Sequence, residues 1–169
     1  MRSYNDLNHN YTGGNLDIRT NNLNSLESCP KVITGVFDCD NNKLSNLIGG
    51  PERVDGIYYC QYNQLTSLVG CASHIGGTLF LNGNTKITSL VGIHKIIKSC
   101  SSILFNHEPI TEGGIGLILI DRLQDLPYIY GLSHNPFSII NSYLGSGTKG
   151  MMACRKELIE NGYEQYAKL

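Results

Sequence analysis

Tryptophan is absent from this chain of 169 residues, and so is any excess of one charge, with 13 basic against 14 acidic side chains. No stretch approaches ~20 consecutive apolar residues, so no transmembrane helix is expected. Without a basic excess or stripe, the electrostatic footprint of a nucleic-acid binder is missing. The six cysteines include no CxxC and no Cys/His cluster, so a zinc site is not expected. Gly113-Gly114-x-Gly116 lacks both the lysine and the preceding strand of a phosphate loop. The start, Met1-Arg2-Ser3-Tyr4-Asn5-Asp6, has no apolar core of a secretory signal, which points to the cytoplasm. One domain is expected from this length.

What the chain does contain is a frame of about 21 residues that recurs through its middle. It reads Leu16-Asp17-Ile18-x-x-Asn21-x-Leu23-x-x-Leu26, then Phe37-Asp38-Cys39-x-x-Asn42-x-Leu44-x-x-Leu47, then Tyr58-Tyr59-Cys60-x-x-Asn63-x-Leu65-x-x-Leu68. A fourth copy, Leu79-Phe80-Leu81-x-x-Asn84-x-x-Ile87-x-x-Leu90, is longer by one residue, and a fifth starts at Ser101-Ser102-Ile103-x-x-Asn106. Units this short cannot bury an apolar face alone, so they must stack as a solenoid. The column Cys39, Cys60, Leu81, Ile103 interchanges thiol and aliphatic groups, as a buried position would. Strand spacing of ~4.8 Å permits a Cys39–Cys60 disulfide, but a cytosolic setting disfavours it.

This frame resembles the leucine-rich repeat family. The resemblance implies a parallel inner sheet and a ladder of stacked Asn side chains, here Asn21, Asn42, Asn63, Asn84 and Asn106, satisfying backbone groups in each turn. The outer halves, Pro30-x-x-Ile33-x-Gly35, Pro51-x-x-Val54-x-Gly56 and Ala72-x-x-Ile75-x-Gly77, are too short for a helix. They resemble short repeats with an extended outer segment and a glycine turn. The wording of residues 63–70 and of the C-terminal stretch is similar to leucine-rich repeat proteins encoded by large tailed bacteriophages. The expected fold is an α/β-type, mostly β solenoid. Residues 1–14 would form an N-terminal cap, 15–134 the repeats and 135–169 a C-terminal helical cap.

Past Asn106 the unit lengthens, and Asn106-His107-Glu108-Pro109-Ile110 is echoed by Ser133-His134-Asn135-Pro136-Phe137. Leu117, Ile120 and Leu123 recur at helical spacing, which predicts an outer-face helix over 114–124, with a buried strand as the alternative. A last inner strand is expected near 127–131. Asn135-Pro136 would start one terminal helix that stops at Gly145, and Thr148 would cap a second running through Glu160.

Alternate strand residues face opposite ways. With Leu16, Phe37, Tyr58 and Leu79 inward, the exposed concave columns are expected to be Asp17, Asp38, Tyr59, Phe80, Ser102 and, beside them, Arg19, Asp40, Gln61, Asn82, Leu104. A third column would be Asn15, Val36, Ile57, Thr78, Cys100. Asp38, Asp40, Tyr59, Gln61, Phe80 and Asn82 are therefore the candidate partner-binding residues. Exposed aromatics on a rigid platform suit a protein interface, though aromatics also pair across strands for stability alone.

Chemistry is harder to find. Of the five histidines (His9, His74, His94, His107 and His134), His74 and His94 have no acid at a fixed offset, and His107 and His134 hold equivalent repeat positions that suit a shared turn role. Asp38 with Asp40 lacks a neighbouring acid for hydrolysis. The expectation is a non-enzymatic protein-binding module without cofactor or metal, whose partner is a protein, of the bacterial host if the chain is phage-encoded. Two alternatives stand beside it. One is sequestering of a small nucleotide or saccharide on the concave face. The other is a virion or scaffold component that buries Val36, Ile57 and Leu104 by self-association.

Overall fold

The computed structural model describes residues 2–7, 10–105, 110–124 and 136–169. Within them the chain forms a mostly β, parallel solenoid with a few short helices. Its inner sheet has five strands in chain order: Leu16–Asp17, Phe37–Asp38, Tyr58–Tyr59, Thr78–Phe80 and Ser102–Leu104. The first four are in step with the frame, pairing Leu16 with Phe37, Phe37 with Tyr58 and Tyr58 with Leu79. Each outer half supplies a second strand. Val32–Ile33, Arg53–Val54 and His74–Ile75 form a three-stranded parallel outer sheet, continued by bridges from His74 to Ser99 and from Ser99 to Asp121. Ser89–Leu90 and Glu112–Gly113 pair as a third, two-stranded sheet.

The fifth inner strand corrects the sequence reading. Leu79 pairs with Ile103 and Phe80 with Leu104, two residues beyond the register that the frame implies. Ser102 therefore lies beside Thr78 rather than Phe80, and Ile103 follows Leu79 rather than Leu81. Leu104 takes the place beside Phe80 instead of extending the Asn82 column. Cys100, expected on the concave surface, is fully buried. It lies ahead of the strand and escapes the alternation, its thiol donating to Gly77 O at 3.4 Å. Within the strand a slip of two residues preserves which side each residue faces, because strand periodicity is two. The cause is the extra length of the fourth unit, which includes a four-residue helix, α1 (Ile93–Ile96), that the sequence reading did not anticipate.

Between the sheets runs one continuous apolar core. Leu16, Phe37, Tyr58, Leu79 and Ile103 enter it from the inner sheet, and Ile33, Val54 and Ile75 from the outer. Burying a side chain of this size contributes roughly 1.5–3 kcal/mol. All six cysteines are buried free thiols. Those at 39 and 60 fit the column because each thiol donates to the next strand's carbonyl, Cys39 Sγ to Tyr59 O and Cys60 Sγ to Phe80 O, both at 3.3 Å. Tyr58 is the exception in this core: its hydroxyl is buried without a hydrogen-bond partner. Desolvation pushes that hydroxyl's pKa well above the usual value. Tyr58→Phe removes the orphaned group while keeping the ring's contact with Phe37, whose centroid lies 4.9 Å away. It is expected to raise stability by about 1 kcal/mol in urea denaturation.

Asparagine braces the turns that follow the second, third and fourth inner strands. Asn42, Asn63 and Asn84 are buried. Asn42 Oδ1 accepts from the amides of Asn21 and Leu23, one coil earlier, while its Nδ2 donates to Ile18 O, Cys39 O and Asp40 O. Asn63 and Asn84 repeat the arrangement, accepting from Leu44 N and Leu65 N and donating to carbonyls of their own and the preceding coil. Asn21 has no earlier coil to reach and its Nδ2 donates to Arg19 O. Asn106, expected next in the ladder, lies outside the described residues.

At the N-terminal end a 3-10 turn, Tyr4–Leu7, buries Tyr4, and Ser3 bridges Ser25. At the other end the expected outer-face helix over 114–124 is instead a buried 3-10 turn, Ile115–Leu119. Gly113 and Gly114 precede it at φ of 76° and 111°, and the chain is extended again at Ile120, so the turn runs for only five residues. Helix α2 (Pro136–Ser142) ends before Tyr143, and α3 spans Gly147–Glu160. Ser146, not Thr148, holds the N-cap position of α3, without a side-chain capping bond. Phe137 of α2 packs edge-on against Phe105 and Tyr166, with centroids 5.2 and 5.7 Å away. Tyr166 donates to Ile110 O, and Lys168 pairs with Glu112 at 2.7 Å. The strand expected at 127–131 and the Asn135 cap lie outside the described residues.

Candidate functional site

The inner sheet places the candidate residues on its solvent side. Phe37 and Tyr58 point into the core, so Asp38 and Tyr59, one residue on, point out and are half-buried, as are Phe80 and Leu104. With the fifth strand in its observed register, the column runs Asp17, Asp38, Tyr59, Phe80, Leu104. The rings of Tyr59 and Phe80 stack at 4.8 Å with an interplanar angle of 21°. Each ring thus limits the other's rotation, and Leu104 extends the apolar ridge beyond what the sequence reading assigned. Such a stack contributes about 0.5–1.5 kcal/mol beyond simple burial.

The acidic end is more occupied than its composition suggests. Asp38 Oδ1 accepts from the Asp40 amide at 3.0 Å, and Asp40 Oδ1 accepts from the Gln61 amide at 2.7 Å, so both carboxylates brace the backbone. Arg19 lies over them, with Nη2 3.1 Å from Asp17 Oδ2 and Nη1 3.6 Å from Asp38 Oδ2. Desolvation by the half-buried surroundings nevertheless raises the pKa of Asp38 and of Asp40, against the lowering effect of those amide bonds and Arg19. A cation arriving at this end would reverse that shift. Gln61 and Asn82 are half-buried beside the ridge, and Asn82 Oδ1 is a buried acceptor without a partner among the described residues.

All six candidate residues therefore share one wall, but as two segments, an Arg19-covered acidic segment and an aromatic one. Asp38 and Asp40 each give one carboxylate oxygen to a backbone amide. His74 and His94 lie elsewhere, on the outer sheet and in α1, while His9, His107 and His134 lie outside the described residues. Among the described residues no group of three or more His, Cys, Asp or Glu is placed to hold a metal ion, and no helix is long and apolar enough to cross a membrane.

Two surface features were not singled out from sequence. Ile48, Val69 and Val91 are exposed and occupy successive coils one residue after the buried Leu47, Leu68 and Leu90. Arg53, His74 and Arg122 line a cleft on the outer sheet. The frame itself places Arg53 and His74 in one column, so that pair was legible; Arg122 falls beyond the point where the frame breaks. Comparison with protein-family models, with curated proteins and with solved structures gave no match.

Proposed function

We propose that this chain is a non-enzymatic protein-binding module of the leucine-rich repeat type, whose concave wall captures a protein partner. The observation that carries this reading is the half-exposed Tyr59–Phe80 stack, continued by Leu104 on a sheet braced by the buried Asn42, Asn63 and Asn84. Such a wall is ordered before it meets anything, so little conformational entropy is lost on association. Aromatic anchors of this kind carry ~2 kcal/mol or more each when fully desolvated in an interface. The terminal helices serve in this reading as the cap over the last apolar layer.

The phage-like wording of the repeats extends the proposal to its setting. The chain would act in the cytoplasm of an infected bacterium by occluding a host or defence factor. The test is affinity capture from host lysate with Tyr59→Ala, Phe80→Ala and, on another face, Val69→Ala. Each concave substitution is expected to weaken capture by about thirtyfold with far-UV CD unchanged, while Val69→Ala has no effect. Capture unaffected by both concave substitutions would move the site elsewhere.

Asn82 Oδ1, an unpartnered acceptor beside Phe80, favours a second reading, in which a nucleotide or saccharide stacks on the aromatic pair and donates to it. Thermal-shift screening separates the two, because a rise of several degrees with a small ligand alone belongs to this second reading.

A further inference from the structure

The outer sheet carries a cleft of about 300 Å³ that the concave-wall reading does not use. Arg53 and His74 are register partners on adjacent parallel strands, and His74 bridges to Ser99 in the next coil. Strands stand ~4.8 Å apart, so these three residues span ~10 Å along one column. Arg122 comes from the coil beyond, where Asp121 bridges Ser99, and its own backbone is left-handed at φ 64°. Gly76 and Ser99 also line the cleft, and their small size leaves it open. No side chain fits at 76: a Cβ there would lie 2.0 Å from Asp55 O.

The polar groups are arranged for an anion. Arg53 Nε donates to Asp55 Oδ1 at 2.6 Å, which fixes the guanidinium plane and leaves its Nη groups as donors. Ser73 Oγ engages His74 Nδ1 at 2.9 Å, and His74 lines the cleft. Arg122 has no ion pair among the described residues. Asp55 is the single carboxylate in the lining and is already engaged, against two guanidinium groups. The lining thus holds positive charge in excess, in a chain whose overall charge is -1. Guanidinium forks match oxyanions, and donors approaching from four separate coils suit a tetrahedral group better than a flat carboxylate.

We infer that this cleft binds the phosphate group of a small molecule, with Arg53 and Arg122 as paired clamps and His74 and Ser99 as further hydrogen-bonding groups. The site is independent of the concave wall, and its failure would leave that wall's role untouched.

Isothermal titration calorimetry with inorganic phosphate and with glycerol phosphate, at ionic strength held constant with chloride, tests it. Saturable binding is expected for the wild type and for Phe80→Ala, with an affinity loss of about tenfold or more in Arg122→Ala and in Arg53→Ala. Tighter binding of the ester would assign a phosphomonoester as the source, and equal binding would assign free phosphate. Phosphate-induced amide shifts should appear at Ser99 and Gly76 and not at Asn82, which keeps the test valid if a variant folds poorly. No saturable binding, equal displacement by chloride, or unchanged affinity in Arg122→Ala would overturn the inference.

Discussion

Asn63→Leu is expected to lower stability by about 3 kcal/mol, measured by urea denaturation, whereas Asn21→Leu should cost less than about 1 kcal/mol. Both side chains occupy the same position in the frame, and their hydrogen bonds make the difference. Asn63 Oδ1 is the acceptor for the buried Leu44 amide, and its Nδ2 serves Cys39 O, Cys60 O and Gln61 O. Leucine there leaves the Leu44 amide orphaned. The carbonyls are partly protected, because Cys39 O also accepts from Asn42 and Cys60 O from Asn84. That sharing sets the cost nearer 3 than 6 kcal/mol, since only groups left without any partner incur the full penalty of about 1–3 kcal/mol each. At the first coil Asn21 is half-buried and its Nδ2 serves only Arg19 O. Equal losses at the two positions would mean that the ladder does not couple neighbouring coils.

A larger loss is expected from Gly70→Ala, about 4 kcal/mol or more. Gly70 sits at φ 85°, and a Cβ on it would lie 2.3 Å from both Leu47 C and Ile48 N of the preceding coil. Those are backbone atoms, so no rotamer change relieves the overlap and the two coils must separate. Gly162 is the natural control, with φ 78° and nothing within 4 Å of the point where a methyl group would sit. Alanine there incurs only the left-handed backbone cost of roughly 1–2 kcal/mol. Because each coil contacts only its neighbours, a break at Gly70 should also split the unfolding transition. A similar midpoint for the two variants would contradict the close approach of the corners.

Much of this architecture is legible in the sequence because a repeat states its own alignment. Wherever the frame recurs at constant length, from Leu16 to Leu81, burial follows the column: Phe37 and Tyr58 are inside, Asp38 and Tyr59 outside. The reading failed where length varied. The fourth unit accommodates α1, and the strand at Ser102–Leu104 joins two residues later than the frame implies. Side-chain parity survived within that strand, though not at Cys100 before it, and neighbours changed, so Leu104 joined the aromatic ridge and Ser102 left it. Helical spacing of Leu117, Ile120 and Leu123 reported burial correctly and conformation wrongly, because the chain returns to an extended backbone at Ile120 after a five-residue 3-10 turn.

The candidate wall was legible as a set of residues and not as a set of interactions. In the sequence Asp38 and Asp40 are two carboxylates in neighbouring exposed columns; their bonds to the amides of residues 40 and 61 and the guanidinium of Arg19 make them a braced edge. Those contacts depend on which side-chain atoms meet across coils, and the sequence carries no period for that. The outer cleft was missed for a related reason, since Arg122 reaches it from a coil whose register no motif announces.

Thiol reactivity tests most directly which face of the inner sheet meets solvent. Burial pushes the Cys29 thiol up to about 12 and the Cys154 thiol up to about 11, and raises those of Cys39 and Cys60 well above the usual value. The folded wild type should therefore leave all six cysteines unmodified by a maleimide, while Phe80→Cys and Leu104→Cys each gain one readily labelled thiol. Labelling of Cys39 and Cys60 in the folded protein, with Phe80→Cys protected, would mean that the wall assigned to recognition is the core.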